Sequence, residues 1–165
     1  VYDEACSRFI NPKYEGNMAV PGGAPFSMAL ELLSWFHGDA RTLTFTTYTY
    51  ARGFAAAHRR FAQAFLALPA LPGRTLDASD PDLRVRTYRT EKATYVGVAS
   101  KSYRSRTLRI TIPAGELPDR GPVTVVDLVT GAEVPAEYVE EGLRFDLESG
   151  PMQLHAFRIT HANND

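Results

Sequence analysis

Three residues in the first third of the chain carry side chains that could contact a ligand. Tyr48 and Tyr50 end a stretch, residues 42–50, that is dense in β-branched and aromatic residues, and Arg52 follows it. Tyrosine rings offer an apolar face for stacking together with a polar hydroxyl, and arginine offers a fixed fork of donors. We take the three as candidate substrate-binding residues. The alternative is that the tyrosines are ordinary strand aromatics, which sheets favour, and that Arg52 is a solvated loop residue.

Carboxylates supply the second set of candidates. Asp3 and Glu4 are adjacent acids near a possible strand end, and Glu15 lies in a loop rich in Pro, Gly and Asn. A carboxylate can act as general acid, general base or nucleophile, and Glu15 could contact a substrate from its loop. The alternative is that all three are solvated charges, as acids near a terminus commonly are.

Metal, thiol and nucleotide chemistry receive little support. The histidines have neither His-x3-His nor Glu-x2-His spacing, so no zinc site is expected; they are His37, His58, His155 and His161. The single cysteine, Cys6, excludes an internal disulfide and a thiolate-rich metal site. The sequence contains neither the Gly-x4-Gly-Lys phosphate loop nor the Gly-x-Ser-x-Gly nucleophile elbow. We expect no cofactor.

Composition narrows the possible partners. The 165 residues are 44% hydrophobic and 22% charged, which is typical of a globular chain. Lys+Arg number 18 and Asp+Glu 19, so a nucleic acid or an anionic membrane is not an expected partner. The longest apolar stretch, residues 64–71, is interrupted by Pro69 and is too short to span a bilayer. Because the sequence begins at Val1, we expect a processed chain or a piece of a longer one.

The elements that would position these candidates change character near residue 75. In residues 1–75, Pro25 and the apolar spacing after it predict a helix over 25–37, the composition of 42–50 predicts a strand, and an apolar stripe predicts a helix over 53–68. Residues 69–73 contain two prolines and a glycine, which end the second helix. We predict a domain boundary here.

Residues 76–165 have the pattern of an all-β domain. Short alternating runs are separated by turn residues, and one face of several runs is polar. The predicted strands are 83–90, 93–100, 107–112, 123–129, 142–147 and 152–160. Six or more strands at hairpin-like spacing indicate an antiparallel β-sandwich, so the predicted fold class is α+β.

The layout resembles the C-terminal part of a glycoside hydrolase. Residues 56–70 resemble the last helix of a (β/α)8 barrel that runs directly into a C-terminal all-β domain. Residues 123–131 and 146–158 resemble strands of such a domain, the second returning to pack against the first strand. The resemblance covers roughly residues 25–160 and is one of layout rather than of a sharp motif.

If the resemblance holds, helix 25–37 is the seventh barrel helix, strand 42–50 the eighth strand and helix 53–68 the eighth helix. Barrel active sites lie at the C-terminal ends of the strands, so Tyr48, Tyr50 and Arg52 would face the site and Glu4 would be the carboxylate that ends the seventh strand. The resemblance implies a glycosidase parent, with this chain inactive by itself. Its partners would be carbohydrate or the missing barrel portion of the same protein.

Two other interpretations stay open. The sandwich could be a non-catalytic module that binds carbohydrate or another domain, with an exposed aromatic face made by Tyr88, Tyr95, Tyr103 and Tyr138. It could also be a structural or partner-docking domain, in which Phe26, Trp35 and Phe36 form an exposed apolar patch.

Overall fold

The computed structural model describes residues 28–43, 55–117 and 121–161. Two helices and nine strands lie in these ranges. The helices are α1 (Ala29–Gly38) and α2 (Ala55–Ala67). The strands are β1 (Arg74–Leu76), β2 (Leu83–Arg89), β3 (Thr94–Ser100), β4 (Arg106–Pro113), β5 (Val123–Asp127), β6 (Glu133–Val134), β7 (Ala136–Val139), β8 (Gly142–Ser149) and β9 (Gln153–His161).

The strands form two antiparallel sheets. The larger sheet has six strands in the order β1-β2-β3-β9-β5-β6, and the smaller has three in the order β4-β8-β7. β9, the last described strand in sequence, therefore lies in the interior of the larger sheet, between β3 and β5. The α+β class with an antiparallel sandwich is thus confirmed.

The main core lies between the two sheets. Leu108, Ile110 and Ile112 of β4 point inward, while Thr107, Arg109 and Thr111 between them are exposed. The same alternation in β8 contributes further apolar side chains, and Val96, Val98 and Phe157 line the facing side of the larger sheet. Because side chains alternate across a strand, this pattern fixes which face of each strand is buried.

A second core lies on the outer face of the six-stranded sheet. There α1 contributes Leu32, Trp35 and Phe36, and α2 contributes Phe61 and Ala64, all of them buried. The sheet is therefore covered on both faces, by helices on one side and by the smaller sheet on the other. This explains why β3 is buried along almost its whole length and lacks a polar face.

Several predicted elements need correction. The strand predicted over 123–129 ends at Asp127, because the Asp127 carboxylate accepts the backbone N–H groups of Val129 at 2.8 Å and Thr130 at 3.2 Å and turns the chain. The connection after α2 contains β1, which was not predicted because the prolines and glycine just before it indicate a loop. Residues 44–50 of the predicted strand 42–50 lie outside the described residues.

Candidate docking site between the helices and the sheet

A buried arginine holds the end of α1 against the larger sheet. Arg86 of β2 is 4% exposed. Its Nη1 donates to the carbonyl oxygen of Trp35, and its Nη2 donates to that of Phe36 at 3.2 Å. The last carbonyls of a helix have no partner within the helix and carry partial negative charge. Arg86 thus satisfies and neutralises the C-terminus of α1.

The rest of the Arg86 side chain is also engaged. Its guanidinium carbon lies 4.6 Å from the centre of the Trp35 ring, within the range of a cation–π contact. Its Nε donates to Thr75 Oγ1 at 3.2 Å, which links β1 to the same cluster. Burial lowers the pKa of Arg86, and the nearby Asp39 carboxylate opposes that shift.

Asp39 supplies the negative charge of this cluster. It follows α1 in the left-handed conformation, with φ of 49°. Its Oδ2 accepts the N–H of Gly73 at 3.0 Å, its Oδ1 accepts the Tyr88 hydroxyl at 3.2 Å, and Oδ1 lies 3.6 Å from Arg86 Nε. Burial, and then the negative charge of Asp39, raise the pKa of Tyr88 well above its usual range. Tyr88 therefore remains a protonated donor.

Close packing completes the contact between α1 and the sheet. Gly97 of β3 lies beneath Trp35, and a Cβ atom at this position would lie 2.6 Å from Trp35 Cζ2 and 3.0 Å from Leu68 Cδ1. Only a residue without a side chain leaves room for the indole ring here. The glycine thus sets how closely the helical layer approaches the sheet.

The second helix packs along the central strands. Phe61 and Ala64 of α2 join the cluster that contains Leu154 and Ala156 of β9. Beside this contact is a cleft of about 190 Å³, lined mainly by apolar side chains. None of its described lining residues is acidic, so these residues do not themselves supply the pair of carboxylates that glycoside hydrolysis requires. Within the described ranges, the contacts of this region join the two helices to the larger sheet.

The candidate catalytic and substrate-binding residues lie elsewhere in the sequence. Glu4, Tyr48, Tyr50 and Arg52 are outside the described residues, as are Asp3, Glu15 and Cys6. The structure therefore does not test whether they come together. Their assignment stays a prediction.

The aromatic face predicted for the sandwich is wrong. Tyr88 is 3% exposed and pairs across the strands with Tyr95, beneath the helical layer. Tyr103 is in the loop between β3 and β4, and Tyr138 is on β7 of the other sheet, where its hydroxyl donates to the carbonyl of Gly121. The four rings thus do not share a surface.

The predicted exposed patch is also wrong for the two of its residues that are described. Trp35 and Phe36 are each 1% exposed because the larger sheet covers them. The apolar spacing that predicts the helix over 25–37 includes Phe36 but does not show which sheet face covers the helix. Arg86 was not predicted as a contact, because its partner Trp35 is 51 residues away in the sequence. A lone arginine in a strand carries no signal for such a contact.

A histidine and a serine meet inside the sandwich. His155 Nε2 of β9 lies 3.0 Å from Ser149 Oγ of β8, and burial lowers the pKa of His155 to about 4. Ser149 is 1% exposed, which closes the pair to any substrate. Among the described residues, no group of His, Cys, Asp and Glu could hold a metal ion, and no helix is long and apolar enough to cross a membrane.

Neither a protein-family model nor a curated protein sequence matches this chain. Solved structures do match its fold. The chain is similar to a GH27 β-L-arabinopyranosidase from Geobacillus stearothermophilus (15% identity, TM-score 0.54), covering 84% of this chain and 31% of that one. It is also similar to an α-amylase from Geobacillus thermoleovorans (10% identity, TM-score 0.53), covering 91% of this chain and 36% of that one. At such identities the likeness is one of fold, and this chain spans about a third of each enzyme.

Proposed function

We propose that this chain is the C-terminal part of a glycoside hydrolase, with the sandwich acting as a stabilising accessory domain. In this proposal α1 and α2 are the seventh and eighth helices of a (β/α)8 barrel. The two sheets form the domain that follows the barrel. The chain alone is then inactive, because one or two barrel strands cannot build a pocket that needs eight.

One observation carries the proposal. The fold similarity to two glycosidases extends over 84% and 91% of this chain, a share too large to come from the sandwich residues 76–165 alone. The cluster of Arg86, Asp39 and Trp35 supports it physically. A buried, hydrogen-bonded connection between a helix end and a sheet is what a domain needs to hold helices in one orientation.

The residues proposed for catalysis and substrate binding lie outside the described ranges. Glu4 is the proposed catalytic carboxylate, and Tyr48, Tyr50 and Arg52 are the proposed substrate contacts at the end of the eighth strand. The second carboxylate that glycoside hydrolysis requires would come from the missing part of the barrel. Carbohydrate and that missing part are the proposed partners.

The test begins with the coding sequence upstream of Val1. We expect it to encode a barrel, and we expect the extended protein to hydrolyse members of a panel of aryl glycosides and α-glucans. Glu4→Gln should then lower kcat by at least about 10²–10⁴-fold, the contribution of a general acid or base. Glu141→Gln, in the exposed turn between β7 and β8, is the matched control and should retain most of the activity.

Two results would overturn the proposal. The first is a natural chain that begins at Val1 with no barrel encoded before it. The second is an extended protein that is folded but inactive on the whole panel. An active enzyme in which Glu4→Gln and Glu141→Gln behave alike would contradict the assignment of Glu4 and leave the rest of the proposal standing.

A further inference from the structure

The outer face of the larger sheet is apolar at its centre, where the helices cover it. Gly97 and Ala99 of β3 lie opposite Ala156 and Leu154 of β9, and these four residues share that face. Ala99 and Ala156 are fully buried, and Leu154 is buried as well. A sheet face that meets water carries polar residues at such positions, as the exposed side of β4 does. This part of the outer face is therefore suited to permanent cover.

The second core is continuous across the domain boundary predicted near residue 75. Leu32, Trp35 and Phe61 come from before that boundary, and Tyr88 and Leu154 come from after it. All five side chains are buried in the same cluster, in which the helices and the sheet cover each other. Because burial of apolar surface is the main favourable contribution to folding, the two sides of the boundary gain stability from one shared core.

Polar contacts cross the same boundary. The Asp39 carboxylate after α1 accepts the backbone N–H of Gly73 and the hydroxyl of Tyr88. Arg86 of β2 is buried and donates to the last carbonyls of α1. Without α1, the Arg86 guanidinium would lose these partners on a largely apolar sheet face, and removing one side of a buried charged contact is strongly destabilising. The sheet therefore depends on the helices for polar as well as apolar partners.

We propose that the two helices and the two sheets are one cooperative folding unit, in which the outer face of the larger sheet is an obligatory binding surface for α1 and α2. The sandwich then does not stay folded when the helices leave it, and residues 76–165 are not an independent module. By linkage, anything that binds and stabilises the helices also stabilises both sheets. The proposal concerns the chain's own contacts and does not depend on whether the parent is a glycosidase.

A cavity made in the helical layer of the full chain distinguishes one unit from two. Leu32 of α1 is fully buried in the outer cluster and is not part of the main core, so Leu32→Ala removes contacts from the helical layer alone. In one unit, hydrogen exchange of the slowest amides of β4 and β8 should accelerate by the same factor as that of α1, at least about 30-fold. Ser34→Ala, at an exposed position of α1, is the matched control and should change neither rate.

Urea unfolding gives a second measurement on the same proteins. Trp35 fluorescence reports on the helical layer and far-ultraviolet circular dichroism on the whole chain, and the two transitions should coincide before and after Leu32→Ala. If Leu32→Ala does not fold, Leu32→Val deletes less of the side chain, and the same equality of exchange factors is expected at a smaller value. The proposal is overturned if the β4 and β8 amides keep their original protection while α1 loses it, or if the two probes give separate transitions.

Discussion

At the scale of single residues, Arg86 joins α1 to the larger sheet through several buried contacts. It satisfies two helix carbonyls, covers an indole ring and faces Asp39, all in a buried position. The surface pair of Arg109 and Asp146 also shifts both pKa values, upward for the arginine and downward for the acid, through their mutual hydrogen bond. Because that pair is solvated, its contribution to stability is small by comparison.

Arg86→Leu should therefore destabilise the protein strongly. The leucine fills part of the space but leaves the carbonyls of Trp35 and Phe36 and the Asp39 carboxylate with fewer partners, a change that costs about 3–5 kcal/mol for buried charged groups. Urea unfolding measures the loss. Arg109→Leu is the control and should shift the midpoint only slightly. Equal midpoints for the two variants would show that the buried cluster does not hold α1.

At the scale of elements, the helical layer depends on one close contact. Gly97→Ala places a methyl group against Trp35 and Leu68, and overpacking of this kind costs about 1–3 kcal/mol. Trp35 is the single tryptophan of the chain, so its fluorescence reports directly on α1. We expect a lower unfolding midpoint and a red-shifted emission. Gly115→Ala, whose new methyl would meet no atom within 4 Å, should change neither.

A helix or strand was predictable where its own residues showed a regular spacing of apolar and polar side chains. β4 and β8 alternate apolar and polar residues because one face is solvated, and this alternation predicted both strands. β6 and β7 are short edge strands with exposed or half-buried residues, so they have no such alternation. The contact between Gly97 and Trp35 was not predictable, because the two residues are far apart in the sequence and neither local sequence indicates which segment packs against it.

At the scale of the whole molecule, His155 makes stability depend on pH. It connects β9 to β8 across the main core, and its folded-state pKa of about 4 lies below the value of about 6.5 expected in the unfolded chain. Between these values the unfolded chain binds more protons. Stability from this group is therefore present above pH 6.5 and is lost as pH falls towards 4.

We expect the free energy of unfolding to fall by about 2–3 kcal/mol between pH 7.5 and pH 4.5 on account of His155. His155→Gln keeps a hydrogen-bonding group near Ser149 but cannot titrate, so it should flatten that part of the profile. Urea unfolding at the two pH values provides the measurement. His37→Gln, at the exposed end of α1, should leave the slope intact. An unchanged slope in His155→Gln would assign the acid sensitivity to other groups.

The place of β9 has a consequence for synthesis on the ribosome. The strand follows every other described strand in the sequence, yet it joins β1, β2 and β3 on one side to β5 and β6 on the other. A nascent chain that has emerged only as far as residue 150 therefore has two separate half-sheets. In these half-sheets Val96 and Val125 cannot be fully buried. Completion of the larger sheet must wait until about the last dozen residues of the described chain have left the exit tunnel, and until then its two unpaired interior strands are open to chaperones.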